Sequence, residues 1–240
     1  MTDSIFAAAR AAVSQTEITG WTNRDGPPVI QGPHDGEVAV AGILAVLHRG
    51  RIARVDVIVI ACFNDIEPTQ VRAAAHCPLI GVGLSAMAIA ADHAGPFAFV
   101  RTRAVSVPVI TGDLAAYGYD QACSGVFTSG LAALEGEEGG SDVVEWLAMA
   151  IAAAQDSGTR SIILGCVGMS HLKPALAARA GMRLIDGVVL LPILPGTCFK
   201  SQLDLRRGEV PIYASALMAW QLGLVFRPFD RGQIAGQQPF

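Results

Sequence analysis

Residues 161–172 read SIILGCVGMSHL and residues 55–65 read VDVIVIACFND. In each, a short β-branched run, apolar nearly throughout, closes on a cysteine, Cys166 in the first and Cys62 in the second, and runs on into residues able to begin a helix. A near-continuous apolar run suits a parallel strand covered on both faces, because a strand with one wet face would alternate. After Cys62, Asn64 or Asp65 can cap the next helix; after Cys166, Ser170 can do the same. In open α/β sheets ligands bind at the carboxyl ends of the strands, so both thiols are expected to point into a cleft. A thiol there lies beside the free N–H groups of a helix start, whose partial positive charge lowers a pKa of about 8.5 toward neutrality. A lone cysteine after a strand is more often a small buried hydrophobe. Two matched cases, 166 − 62 = 104 positions apart, favour function.

Outward from these two strands the same alternation continues. Weaker strands are expected at 17–21, 79–82, 97–102, 125–128 and 183–185, and helices at 5–13, 37–47, 69–75, 86–93, 113–117, 142–155 and 172–180. Strands alternating with alanine- and leucine-rich helices build parallel sheets with helices outside, an α/β fold. Residues 134–141 (LEGEEGGS) read as a charged, glycine-rich surface loop. A hinge is placed at Gly95-Pro96, where a helix stops and the next strand begins, with a return crossing after Asp186-Gly187. That divides 240 residues into two lobes of ordinary domain size: 1–95 plus about 188–240, and 96–187.

Composition narrows the function classes. Hydrophobic residues make up 52% of the chain, yet the uncharged apolar stretches 77–91 and 213–226 fall short of the roughly 18 apolar residues of a spanning helix. The N-terminus keeps Asp3 and Arg10 and lacks the basic start and apolar centre of a signal peptide, so a cytoplasmic location is expected. Five cysteines without CxxC or Cys/His finger spacing argue for free thiols and against a structural zinc. His34, His76, His93 and His171 have no partner at metal-site spacing. A net charge of −4 with scattered Lys and Arg gives no nucleic-acid surface. The expected partner is a small molecule, with no nucleic acid and no membrane; self-association stays open.

The two cysteine segments resemble a known family. ACFND at 61–65 is similar to the first-cysteine motif of hydantoin and allantoin racemases, and ILGCVGMSHL at 163–172 to their second, within the aspartate/glutamate/hydantoin racemase superfamily. Residues 26–47, PLIGVGLSA at 78–86, SVPV at 106–109, Tyr117-Gly118 with Cys123, and IDGV at 185–188 are similar in order and spacing, so the resemblance covers roughly residues 1–190. It implies two lobes related by a pseudo-twofold axis, each a parallel sheet flanked by helices, with the substrate held in the cleft between one cysteine from each. It also implies an isomerase with neither metal nor pyridoxal phosphate, in which one thiolate takes the proton from the stereogenic carbon and the opposite thiol returns one to the other face. A planar carbanion does need an acid and a base on opposite faces. The backbone N–H groups of Phe63, Asn64, Val167 and Gly168 would meet the developing enolate oxygen. Thr102 falls where the family has a polar residue at a strand end, and its hydroxyl would hold a substrate carbonyl; Asn64 has helix capping as its plainer role. Cys77, Cys123 and Cys198 read as core or bystander thiols.

The chain also departs from that pattern. The family opens with a short strand ahead of its first helix, whereas residues 1–5 here resemble the start of that helix, so a central strand of the first lobe is expected to be missing. Gln31 and Leu84 stand where the family has Glu, and Pro33-His34 replaces an aromatic pair. After Val188 the family expects one closing helix, which Pro192 and Pro195 forbid; residues 213–222 are the displaced candidate, and the tail after Phe226 is expected to be loose. Racemisation of a cyclic ureide such as a 5-substituted hydantoin or allantoin is the leading expectation. The alternatives are an amino-acid racemase, a decarboxylase or cis/trans isomerase on the same fold, and a catalytically degenerate binding protein.

Overall fold

The computed structural model describes residues 2–12, 16–30, 32–64, 69–93, 95–190 and 222–228. The strands are β1 (Thr16–Thr22), β2 (Val57–Ile60), β3 (Leu79–Gly81), β4 (Phe97–Arg101), β5 (Cys123–Thr128), β6 (Ser161–Leu164), β7 (Arg183–Ile185) and β8 (Leu222–Pro228). The helices are α1 (Thr2–Ala12), α2 (Pro33–Ile52), α3 (Thr69–Ala74), α4 (Val82–Ala91), α5 (Val107–Tyr117), α6 (Ala133–Glu138), α7 (Ser141–Asp156), α8 (Lys173–Ala180) and α9 (Gly187–Leu190). Cys198, residues 213–221 of the expected closing helix, and the tail beyond Pro228 lie outside the described residues.

The strands form two four-stranded sheets, in the orders β1-β8-β2-β3 and β5-β4-β6-β7. Every pairing in the second is parallel, as its buried apolar strands require. Between the sheets the chain passes Gly95, whose φ of +111 excludes ordinary side chains and whose Cβ would meet the Arg160 side chain at 2.4 Å.

Alternation along the strands builds a core shared by both sheets. Val59 of β2, Phe97 and Phe99 of β4, and Ile163 of β6 join one buried cluster, with Met87 and Ala90 of α4 and Ile185 of β7. The other face of β2, Ile58 and Ile60, packs under α2 against Ala39, Val40, Ile43 and Leu47, a helical 3–4 spacing. The other face of β4 and β6, Ala98, Val100, Ile162 and Leu164, packs under α7 against Leu147, Ala150, Ile151 and Ala154. Three-layer packing of this kind covers β2, β4 and β6 on both sides, which is why β2 and β6 read as continuous apolar runs.

The expected gap in the first sheet is filled. β8 lies between β1 and β2 and runs antiparallel to both, with Val225 opposite Thr19 on one side and Ile58 on the other. The first sheet is therefore mixed: β2 and β3 pair in parallel, and β8 enters from the far end of the sequence. Counting along each sheet, β8 holds the place that β4 holds in the second, and β2 the place of β6. A central strand tolerates proline poorly, since the ladder loses a donor on a residue paired on both sides. Val225→Pro is expected to lower the urea midpoint of unfolding by the equivalent of about 1–3 kcal/mol, the cost of an orphaned buried acceptor; an unchanged midpoint would remove β8 from the sheet.

Candidate active site

In the second sheet the chain winds outward from β4 in both directions, to β5 on one side and to β6 and β7 on the other. The switch point between β4 and β6 is where such sheets open a crevice at their carboxyl ends. Arg101 closes β4 there, and Cys166 follows β6. Each cysteine sits at the same offset from its strand: 62 − 60 = 2 residues after β2 and 166 − 164 = 2 after β6.

Around Cys62 the chain turns sharply. The Asn64 backbone N–H donates to Cys62 Sγ at 3.4 Å, so an N–H expected to meet a substrate oxygen instead meets the sulfur. Phe63 is buried in the shared core. Asn64 is 1% exposed; its Oδ1 accepts a hydrogen bond and its Nδ2 has no partner. Phe63 and Asn64 form a turn; Asp65, the other expected cap, lies outside the described residues, and α3 is described from Thr69.

Cys166 is half-buried and sits at the N-cap of a 3-10 helix, Val167–Leu172, with extended backbone (φ −144, ψ 129). Its carbonyl accepts from the Met169 N–H at 3.0 Å. Val167 and Gly168 are buried in the first turn. Ser170, expected as a cap, lies inside this helix, and α8 begins later, at Lys173. The tighter 3-10 turn holds the segment close to the strand end. Asp186, 1% exposed at the end of β7, accepts from the Val188 N–H at 3.0 Å. Burial raises its pKa, opposed by the Val188 N–H, the Ser170 hydroxyl and the charge of Lys173.

The residue that joins the two halves is Arg101, which sequence reasoning passed over. It is 6% exposed. Its Nη2 donates to Asn64 Oδ1 at 2.9 Å and its Nε to Ser106 Oγ at 3.0 Å, while the Ser106 hydroxyl donates to the Arg103 carbonyl at 2.7 Å. Burial lowers the guanidinium pKa, and the charges of Cys166, Cys62 and Asp113 oppose that shift, in decreasing order. Through Asn64 this buried side chain reaches the turn that follows Cys62. Space for this side chain comes from Gly165, the residue before Cys166: a Cβ there would lie 2.5 Å from Arg101 Cδ and 3.2 Å from the Val100 carbonyl oxygen. Thr102, next in sequence, is 5% exposed, and its carbonyl accepts from the Gly130 N–H at 2.8 Å.

The other described thiols lie at the amino ends of strands. Cys77 precedes β3 and is buried, like Cys62, in the cluster under α2. Cys123 begins β5 on the far side of β4, and burial raises its pKa. Among the described residues no group of three His, Cys, Asp or Glu side chains could hold a metal ion, and no helix is long and apolar enough to cross a membrane.

The chain also resembles known proteins. The family model for Asp/Glu/Hydantoin racemases matches residues 1–191. A hydantoin racemase of Rhizobium meliloti is 33% identical over 176 residues, 73% of this chain and 73% of that protein. Among solved structures, allantoin racemase from Klebsiella pneumoniae superposes with a TM-score of 0.72 at 29% identity, covering 85% of this chain and 83% of the other. Allantoin racemase from Pseudomonas fluorescens gives 0.73 at 25% identity, covering 90% and 94%.

Proposed function

The chain belongs to the Asp/Glu/hydantoin racemase family, and from that premise we propose that it racemises a five-membered cyclic ureide, a 5-substituted hydantoin or allantoin, with Cys62 and Cys166 as its two acid/base groups. The observation that carries the reading is the matched placement of the two thiols, each two residues past the end of a strand, with Arg101 bonded to Asn64 beside one and packed on Gly165 beside the other. Similarity to hydantoin and allantoin racemases supports the ureide as substrate class.

In this reading one sulfur is a thiolate and the other a thiol. The thiolate removes the proton from the stereogenic carbon; the electron pair moves onto the neighbouring carbonyl oxygen; the opposite thiol then protonates the other face. The N–H groups of Phe63, Val167 and Gly168 and the hydroxyl of Thr102 receive the enolate or hold the ring carbonyls. The Asn64 N–H serves the Cys62 sulfur, and its unpartnered Nδ2 is a further donor for the substrate. Two thiols complete the proton transfers, so this mechanism calls on no metal or organic cofactor. We place the lobes at 1–95 plus about 188–240 and at 96–187, with the substrate between them, and the enzyme in the cytoplasm, whose reducing conditions suit free thiols.

The experiment is polarimetry on a single enantiomer of a 5-substituted hydantoin, and separately of allantoin. Optical rotation is expected to decay to zero with no change in the concentration of the compound. Rotation that persists with both compounds would overturn the ureide assignment.

A further inference from the structure

Arg101 closes β4 of the second sheet, yet its Nη2 donates to Asn64 Oδ1 in the turn that follows β2 of the first. Three parts of the side chain are fixed. The stem passes over Gly165, where a Cβ would lie 2.5 Å from Arg101 Cδ, so it packs on the residue before Cys166. Nε is held at 3.0 Å by Ser106 Oγ, and that hydroxyl is itself turned to donate to the Arg103 carbonyl at 2.7 Å. Nη2 ends on Asn64, at 2.9 Å. A guanidinium is planar and its donors form a rigid fork, so with the stem and Nε fixed the position of Nη2 is fixed too. Asn64 then has little freedom. Its Oδ1 must face the fork, since an amide nitrogen only donates, and the residue's own N–H meets Cys62 Sγ at 3.4 Å. At 6% and 1% exposure, Arg101 and Asn64 are shielded from water that would compete for the bond between them.

We infer that Arg101 is a positioning residue for the thiol pair: seated on Gly165 beside Cys166 and held by Ser106, it fixes Asn64 and with it the turn that follows Cys62. For its consequence in catalysis this rests on the two-base reading above. Proton transfer at both faces of one carbon needs the two sulfurs at a set separation, and an error of about 1 Å at a reacting group can cost roughly 10²-fold in rate. The cysteines follow strands of different sheets, so no strand pairing sets that separation. A rigid side chain bonded to one cysteine segment and packed on the other supplies the constraint. Arg101 acts through Asn64, and it need not touch the substrate.

The test is amide hydrogen exchange followed by NMR, with no substrate present. Arg101→Met keeps an apolar stem over Gly165 and removes the donors. Relative to the amides of β6, the Asn64 amide is expected to exchange about 5–10-fold faster, the net effect of one hydrogen bond. Gly165→Ala, a change next to Cys166, should speed the Asn64 amide as well by displacing the arginine stem, and should add nothing further in an Arg101→Met background. A parental Asn64 rate in Arg101→Met, equal acceleration at Asn64 and throughout β6, or full additivity of the two substitutions at Asn64 would overturn the inference. If Arg101→Met does not fold, Ser106→Ala, which removes the acceptor of Nε, decides by the same amide. With a hydantoin as substrate, Arg101→Met should lower kcat by about 10–100-fold and leave KM within about threefold of the parent; a raised KM at parental kcat would make Arg101 a substrate ligand and also overturn the inference. Because the exchange readout needs no turnover, a protein with the expected exchange that racemises neither ureide would contradict the proposed function and leave the positioning role standing.

Discussion

Cys62→Ser and Cys166→Ser are each expected to lose racemisation by about 10²–10⁴-fold, the usual contribution of a positioned acid or base. Serine matches the thiol in shape, and at Cys62, 7% exposed in the apolar cluster under α2, its hydroxyl also costs about 1–3 kcal/mol of stability. Its hydroxyl is far less acidic than a thiol, whose pKa lies near about 8.5 before any tuning. Each mutant therefore lacks the group on one face of the stereogenic carbon, and inversion needs both. Polarimetry at matched enzyme concentration reads the loss directly. Serine replacement at Cys77 or Cys123, thiols at the amino ends of β3 and β5, should leave the rate within a few-fold of the parent. Equal losses at all four positions would point to folding damage in place of chemistry.

The second large effect is expected at Gly187, at the start of α9. A Cβ there would sit 2.4 Å from the Val82 carbonyl oxygen and 3.2 Å from Phe63 Cζ. Val82 opens α4 after the first sheet and Gly187 follows β7 of the second, so this is a backbone approach between elements of the two sheets. A backbone oxygen cannot rotate aside as a side chain can. Gly187→Ala should cost about 1–3 kcal/mol of stability by overpacking. It should also displace Phe63, and with it Cys62; a misplacement of about 1 Å at a reacting group can cost roughly 10²-fold in rate. Gly112→Ala is the control, because nothing lies within 4 Å of its Cβ and it sits inside α5. That change should be neutral or stabilising by up to about 1 kcal/mol. Urea unfolding and kcat measured together separate the two effects, and a Gly187→Ala protein with parental values of both would show that α9 does not pack as described.

The parts of the fold that depend on local pattern were legible in the sequence. β2 and β6 are short, apolar and followed by cysteine, and the structure seats both as inner strands, β6 parallel to both neighbours and β2 parallel to β3 but antiparallel to β8. α2 and α7 extend beyond their expected limits because Pro33 suits a first helical turn and Asp142 complements the helix dipole. α5 begins at Val107, earlier than expected, since Pro108 fits its first turn. The glycines around residues 134–141 suggested a loop, yet α6 forms there, with the Glu135 carboxylate accepting from the Ala132 N–H.

What stayed hidden depends on distant partners. Nothing local distinguishes β8 as a strand: a proline ends it, and its neighbours in the sheet are β1 and β2, far earlier in the chain. Arg101 ends the run FAFVR and reads as the solvated end of a strand. Its burial between the cysteine segments follows from the crossing of β4 past β6 and from the missing Cβ at Gly165, neither of which is a property of residues near it in sequence.

The central claim is that Cys62 and Cys166 work on opposite faces of one carbon, and α-proton exchange in deuterium oxide tests it most directly. Each serine mutant retains one base, which can remove a proton and return deuterium to its own face without inverting the centre. Cys62→Ser is expected to exchange the α-proton of one hydantoin enantiomer and Cys166→Ser that of the other, both without racemisation, followed by mass spectrometry and chiral chromatography. Exchange of the same enantiomer by both mutants, or racemisation by either at the parental rate, would contradict the two-base account.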